Sequence, residues 1–126
     1  MIILRNTEGT ELLKIEAADS LRGLDLKGQR LMKADFKGHD LTGTDLEEAI
    51  CTDADFSGVE ACNANFVRTQ FVNAVMTNMH ACNANCERAN FEGALVEGAR
   101  KNRDTVFFKI RGEWKGEWRG CDCSHL

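Results

Sequence analysis

Apolar residues recur at every fifth position of the chain from Leu21 to Val96, without a break in the frame. The sixteen residues of this series, called here the centre residues, are Leu21, Leu26, Leu31, Phe36, Leu41, Leu46, Cys51, Phe56, Ala61, Phe66, Phe71, Met76, Ala81, Cys86, Phe91 and Val96. A spacing of five matches neither the 3.6 residues of a helical turn nor the alternation of a strand. It indicates a chain that turns a corner every five residues, as a solenoid does.

Small residues stand two places before many centre residues. Alanine occupies this position in eight of the sixteen repeats, namely Ala34, Ala49, Ala54, Ala64, Ala74, Ala84, Ala89 and Ala94. Alternate residues of an extended segment point to the same side, so the alanine and the centre residue are both expected to face inward. One large and one tiny side chain per repeat can fill a narrow interior without clashes.

Glycine and the short polar residues follow the same frame. Seven of the eleven glycines stand two places after a centre residue, where a corner needs a positive φ: Gly23, Gly28, Gly38, Gly43, Gly58, Gly93 and Gly98. Asp and Asn fill many positions just before a centre residue, and we expect them to point outward or to cap nearby backbone.

Residues 34–38 (ADFKG), 54–58 (ADFSG) and 89–93 (ANFEG) resemble the A(D/N)LXX unit of the pentapeptide-repeat family. The resemblance covers about residues 19–98. It implies an all-β fold, a right-handed four-sided parallel β-helix with four repeats in each coil, and therefore about four coils. The segment ACNAN at residues 61–65 recurs unchanged at residues 81–85, which agrees with a coil of 20 residues.

The two ends of the chain are predicted to cap this solenoid. In residues 1–18, apolar segments flank a polar turn with Gly9, which predicts an N-terminal β-hairpin cap. Residues 19–98 form the β-helix itself. Residues 99–126 leave the frame, with a strand expected at 105–110, and three glycines spaced by four disfavour a helix by about 1 kcal/mol each. We therefore expect an irregular C-terminal cap, since an uncovered end would expose an edge strand.

Composition excludes several classes of protein. A net charge of -4 over 126 residues argues against binding to nucleic acid or to an anionic membrane, and no apolar run approaches the roughly 18 residues of a membrane span. The first residues lack a basic stretch before a long apolar one, so no signal peptide is expected. Cys51 and Cys86 fall on centre positions, and Cys62 and Cys82 are expected as free outward thiols. Six reduced cysteines favour a cytoplasmic protein.

No pattern in the sequence indicates catalysis or a bound cofactor. The three histidines are scattered, and the aspartates recur at one repeat position on flat faces rather than around a cleft, so we expect no enzyme. Cys121, Cys123 and His125 combine sulfur with imidazole and are a weak candidate for zinc or copper. Their Cys-x-Cys spacing is unusual and a fourth ligand is missing, so a frayed terminus is the other interpretation.

Apolar residues at outward positions predict a surface for a protein partner. With two tryptophans from the C-terminal segment, the candidate residues are Met32, Ile50, Val72, Val75, Leu95, Trp114 and Trp118. Two alternatives stay open. The outward apolar residues can be the landing site of the C-terminal tail, which must place Val106, Phe108 and Ile110, and the tryptophans can pack on the last coil.

Together these features predict a non-enzymatic structural or protein-interaction module whose partner the sequence does not identify. A homodimer through the C-terminal end is one assembly it allows. The family resemblance adds an alternative, because some pentapeptide-repeat proteins mimic duplex DNA, bind type II topoisomerases such as gyrase and confer quinolone resistance. Residues 19–98 are moderately acidic, with thirteen Asp and Glu against seven Lys and Arg.

Overall fold

The structure, a computed structural model, describes residues 1–120 and has no helix within them. Strands β1 (Ile2–Arg5) and β2 (Glu11–Ile15) are antiparallel, whereas β3 (Arg100–Lys101) and β4 (Arg119–Gly120) are parallel. Between β2 and β3 the backbone is joined by single-residue parallel bridges. The fold is an all-β solenoid.

The parallel bridges repeat at a constant distance along the chain. From Asp25 to Arg100 each bridge joins a residue to the one twenty places later. They form four ladders. The first runs through Asp25, Asp45, Asn65, Asn85 and Val106, and the second through Arg30, Ile50, Gln70, Asn90 and Arg111. The third runs through Asp35, Asp55, Val75, Leu95 and Lys115, and the fourth through Asp40, Glu60, His80, Arg100 and Arg119.

The centre residues fill the interior, as predicted. All sixteen are at most 3% exposed, and the eight alanines two places before them are at most 2% exposed. Residues twenty places apart stack: the Phe36 and Phe56 rings lie 4.5 Å apart between centroids, and the Phe71 and Phe91 rings 5.2 Å apart. The inward orientation inferred from the five-residue period is confirmed.

The corners of the coil have the backbone conformation that the glycines predicted. The residue two places after every centre residue has a positive φ, between 56° at Arg68 and 78° at Gly38. The polar residues just before the centre residues cap the backbone: Asp35 Oδ1 accepts the Lys37 N–H at 3.0 Å, and Asn65 Oδ1 accepts the Val67 N–H at 3.0 Å. These short side chains therefore complete the hydrogen bonding of each turn.

The N-terminal hairpin is present and pairs with the first coil. Leu4 is 1% exposed, and the apolar residues of β2 pack against the core. The Asp35 N–H donates to the Arg5 carbonyl oxygen at 2.8 Å, and the Thr7 N–H donates to the Lys33 carbonyl oxygen at 2.8 Å. Backbone groups at this edge of the solenoid thus have partners in the hairpin.

The prediction of irregular structure after residue 98 is wrong for the part of the chain that the structure describes. Bridges continue from Asn85 to Val106, from Asn90 to Arg111 and from Leu95 to Lys115, and β3 pairs with β4. Residues 100–119 therefore form a further turn of the solenoid, and the expected strand at 105–110 is a single bridge at Val106. The frame of five did not predict this turn, because one extra residue precedes Val106 and the spacings after Arg111 are four residues instead of five.

In the second half of this last turn, the large side chains are two tryptophans. Gly112 lies against Glu92 of the preceding coil. Trp114 takes an inward position that alanine fills elsewhere. The rings of Phe107, Trp114 and Trp118 lie 5.1 to 5.6 Å apart, and Trp114 lies 5.5 Å from Phe91. These aromatic rings pack across the C-terminal end of the core.

The cysteines agree only in part with the expected free thiols. Cys51 and Cys86 are buried in the core as predicted, and burial raises the pKa of both thiols. Cys62 and Cys82 are also fully buried, so the prediction that they point outward is wrong for both. Cys82 is disulfide-bonded, so the prediction of a reduced thiol is wrong there. The Cys62 Sγ lies 4.0 Å from the His80 carbonyl oxygen, against the backbone of the next coil rather than in solvent.

Candidate functional site

Two of the predicted surface residues, Val75 and Leu95, are direct neighbours on the third ladder. Val75 is half-buried and Leu95 is 38% exposed. The ladder continues through Asp55 on one side and Lys115 on the other. The structure therefore makes a short apolar pair with a charged residue at each end.

The other predicted apolar residues lie on a neighbouring corner and ladder. Met32 is 50% exposed and is separated from Val72 by Thr52, since the Lys33 and Asp53 N–H groups donate to the Thr52 and Val72 carbonyl oxygens. Ile50 lies on the second ladder, between Arg30 and Gln70. Polar residues thus interrupt the candidate surface along these two rows.

The structure places the two predicted tryptophans but does not describe the predicted metal ligands. Trp114 and Trp118 are half-buried and packed against the core, rather than projecting from a tail. Cys121, Cys123 and His125 lie outside the described residues. Among residues 1–120 no group of three or more His, Cys, Asp or Glu is placed to hold a metal ion.

The alternative in which the C-terminal segment covers the outward apolar residues is wrong for Val106 and Phe108. Val106 bridges to Asn85 on the first ladder, away from Val75 and Leu95. Val106 is 39% exposed and Phe108 is 57% exposed. The extra residue before Val106 sets this placement, and a strict twenty-residue repeat could not predict it.

The carboxylates of the solenoid are tied to local backbone. Asp55 Oδ1 accepts the Ser57 N–H at 2.9 Å, and Asp55 Oδ2 lies 3.6 Å from Lys37 Nζ. Burial alone would raise the pKa of Asp55, but the hydrogen bond from Ser57 and the charge of Lys37 together lower it. Such a carboxylate stays ionised and serves as a cap rather than as a proton donor.

The two histidines within the described residues, His39 and His80, each lie near a carboxylate. Partial burial lowers the pKa of His39, and the nearby Asp35 charge opposes this only in part. His80 Nδ1 lies 3.0 Å from Glu60 Oε1, across one bridge of the fourth ladder.

One cluster of cations on the surface was not predicted from the sequence. Arg68, Arg88, Lys109 and Arg111 line a surface depression of about 490 Å³, together with Gln70. Arg68 and Arg88 are twenty residues apart, which is a signal for stacking. Lys109 follows Arg88 by twenty-one residues because of the extra residue in the last turn, so the regular frame did not place it with them.

Among residues 1–120, no helix has the length and apolar character needed to cross a lipid bilayer.

The four ladders and the stacked centre residues define a parallel β-solenoid built from five-residue units. The chain belongs to the pentapeptide-repeat family, as its resemblance to the A(D/N)LXX unit predicted. The family model described as pentapeptide repeats matches in eight copies, over residues 20–47 and 40–78. The comparison with curated proteins gives no match.

Solved structures of pentapeptide-repeat proteins are similar to this chain. Rfr23 from the cyanobacterium Cyanothece 51142 is 26% identical with a TM-score of 0.72, over 79% of this chain and 68% of that protein. A protein of the Arabidopsis thaliana thylakoid lumen is 27% identical with a TM-score of 0.46, over 71% of this chain and 62% of its own. HetL from Nostoc sp. strain PCC 7120, described as involved in heterocyst differentiation regulation, is 21% identical with a TM-score of 0.43. This chain spans 48% of HetL.

Proposed function

We propose that this protein is a non-enzymatic interaction module, a right-handed four-sided solenoid that presents one preformed side to a protein partner. The observation that supports this proposal is the bridged pair Val75 and Leu95 at outward positions of the third ladder. Asp35 and Asp55 occupy the equivalent places in the earlier coils. An apolar pair in place of carboxylates is better suited to contact with another protein than to contact with water.

The shape and charge around this pair fit an interface. Leu95 is 38% exposed, and its ladder neighbour Lys115 adds a charge beside it, so an apolar centre has a polar rim. The backbone on this side is already fixed: the Val75 N–H donates to Ala54 and the Leu95 N–H to Ala74, both at 2.9 Å. A rigid surface loses little conformational entropy on binding, which favours affinity from a small contact.

We also propose that the protein has no catalytic role, because polar groups that could serve catalysis are held in hydrogen bonds and ion pairs within the solenoid. Asp55 is held by Ser57 and Lys37, and His80 by Glu60. An acid or base that serves catalysis needs an open approach to a substrate and a suitable pKa, whereas these groups stabilise the coil.

The test is affinity capture from an extract of the source organism with three forms of the protein. Val75→Asp with Leu95→Asp adds two charges to the third ladder. The matched control, Asn65→Asp with Asn85→Asp, adds the same charges to a bridged pair on the first ladder, where Asp25 and Asp45 already stand. We expect one partner to be recovered by the wild type and the control and lost by the third-ladder variant. Equal recovery by all three forms would count against this surface.

The topoisomerase alternative stays open as a prediction. A mimic of duplex DNA needs a continuous acidic surface, and the cations at Arg68, Arg88 and Lys109 interrupt one corner of this solenoid. A gyrase supercoiling assay with increasing amounts of the protein tests it directly. Inhibition of gyrase, or protection of gyrase from a quinolone, would favour the alternative over a partner at Val75 and Leu95.

A homodimer through the C-terminal end is proposed as a second kind of contact. The last turn has a depression of about 290 Å³ lined by Ile110, Gly112, Glu113 and Trp114, next to the packed aromatic rings. Light scattering should then report twice the monomer mass of 14.0 kDa. A monomer mass at every accessible concentration would rule this assembly out.

A further inference from the structure

We propose that the corner of the solenoid formed by Arg68, Arg88 and Lys109, together with Arg111 and Gln70, is a binding site for a phosphoryl group. These five residues line one depression of about 490 Å³. The site is separate from Val75 and Leu95, so it neither requires nor replaces the interaction proposed for that pair. We refer to it as the basic corner.

The repeat brings these cations close together. Arg68, Arg88 and Lys109 occupy the same corner in three successive turns, since the Arg68 and Arg88 N–H groups donate to the Glu87 and Phe108 carbonyl oxygens. Stacked strands lie about 4.8 Å apart, so the backbones of the three cations span only about 10 Å. Arg111 adds a fourth cation from the second ladder. A depression of this volume is within the range of small-molecule sites, about 300 to 1,000 Å³.

Three cations of the basic corner lie at positions with an unfavourable backbone conformation. Arg68, Arg88 and Lys109 have φ values of 56°, 59° and 54°, in the left-handed region that long side chains disfavour. At two other corners of the solenoid, every equivalent position holds glycine or asparagine. One corner has Gly23, Gly43, Asn63 and Asn83, and the other has Gly38, Gly58, Asn78 and Gly98. Three stacked cations in place of these residues indicate a role other than turning the chain.

Electrostatics gives a second, independent reason. Like charges on adjacent strands repel, so the stack destabilises the solenoid unless an anion lies among its members. Among residues 1–120, Arg68, Lys109 and Arg111 make no ion pair, and Arg88 has only its neighbour Glu87, with Nε and Oε1 4.0 Å apart. A bound anion would relieve this repulsion.

The chemistry of the lining groups selects a phosphoryl group. The guanidinium groups of Arg68, Arg88 and Arg111 are planar forks that match two phosphate oxygens at once, and Lys109 adds a point charge. Gln70 accepts a hydrogen bond from Asn90 Nδ2 at its Oε1, at 3.3 Å, which leaves its amide N–H groups to donate to a ligand. All five side chains thus offer donors.

The length of the cationic run favours a compact anion over an acidic peptide. Glu48 occupies the same corner one coil before Arg68, because the Glu48 N–H donates to Val67 and the Arg68 N–H to Glu87. Its carboxylate ends the positive run and repels an extended chain of acidic residues. A phosphoryl group places its charge within the few ångströms that the cations surround.

The test measures binding of inorganic pyrophosphate by isothermal titration calorimetry, with ionic strength held constant by chloride. The variants are Arg68→Asn and Arg88→Asn, which remove one charge each while keeping a residue that tolerates the left-handed corner. The matched control is Lys33→Asn, which removes a cation from another left-handed corner with a φ of 60°. We expect saturable binding to the wild type, weakened about tenfold or more by each arginine variant and less than about twofold by the control.

Further arms distinguish the source of the phosphoryl group and the competing ligands. Pyrophosphate and a phosphoserine peptide both test the site, and tighter binding of the peptide would assign the phosphoryl group to a partner protein. Circular dichroism verifies folding, and Lys109→Asn replaces any arginine variant that fails to fold. The proposal is overturned by equal losses in Lys33→Asn and Arg88→Asn, by no binding to the wild type at millimolar pyrophosphate, or by tighter binding of hexaglutamate or duplex DNA at the same ionic strength.

Discussion

Truncation of Phe71 should be among the most destabilising single changes in this protein. Its side chain is fully buried, and its ring centroid lies 5.4 Å from Phe56, 5.1 Å from Phe66 and 5.2 Å from Phe91. Replacing a core phenylalanine by alanine costs about 3 to 5 kcal/mol of unfolding free energy, and each aromatic pair adds about 0.5 to 1.5 kcal/mol beyond burial. Because backbone bridges hold the coils in place, the cavity cannot collapse, and we expect about 4 to 5 kcal/mol for Phe71→Ala.

Urea unfolding measures this loss as a shift of the midpoint. With a slope of about 2 kcal/mol per molar urea, Phe71→Ala should lower the midpoint by about 2 M. Phe71→Leu should cost only about 1 to 1.5 kcal/mol, since Leu31 fills the equivalent centre position two coils earlier. The control is Phe108→Ala, 57% exposed, for which we expect a change within about 0.5 kcal/mol. Two results would show that stacking along the solenoid axis does not stabilise this core. One is a Phe71→Ala midpoint equal to that of the wild type, and the other is an equally large loss of unfolding free energy in Phe108→Ala.

Two further predictions concern the last turn and the response to pH. At Gly112, φ is 73° and an added Cβ would lie 2.6 Å from Glu92 Cα, so Gly112→Ala should cost about 1 kcal/mol or more, whereas Gly120→Ala should be neutral. The only two tryptophans of the chain lie in this turn, so a red shift of their fluorescence should accompany Gly112→Ala. An unshifted spectrum with an unchanged urea midpoint would contradict the close approach of Gly112 to Glu92. His39 has a lowered pKa in the folded protein, so the unfolded chain binds more protons between that pKa and 6.5, and stability should fall as the pH drops through this window. The difference in urea midpoint between wild type and His39→Gln should therefore become less favourable to the wild type from pH 7.5 to 5.5, and a difference independent of pH would refute the assignment.

The interior of the solenoid could be predicted because each repeat meets the same surroundings. Phe36 and Phe56 face the axis for the same local reason, an alternation of inward and outward residues between left-handed corners. This pattern needs no knowledge of distant contacts, since a constant offset brings equivalent residues together. The hairpin was predictable on similar grounds, from two apolar segments around Gly9.

The last turn and the surfaces could not be predicted in this way. One extra residue before Val106 and the four-residue spacings after Arg111 break the offset, so only the structure shows that Trp114 packs inward. The basic corner depends on the same break, because Lys109 joins Arg88 across twenty-one residues. Of the predicted surface residues, Val75 and Leu95 are bridged neighbours because the offset holds between their coils, whereas polar residues lie beside Met32, Ile50 and Val72. The predicted metal ligands lie beyond the described residues.

The constant twenty-residue offset has a consequence for how such a chain can change its size. A coil satisfies its backbone through the coils before and after it, so duplication of residues 61–80 within a gene would insert one complete layer and leave both ends unchanged. The added layer would carry another copy of Arg68, and the row of positive charge would grow with the protein. Length and ligand-binding capacity could therefore evolve together in a single genetic step.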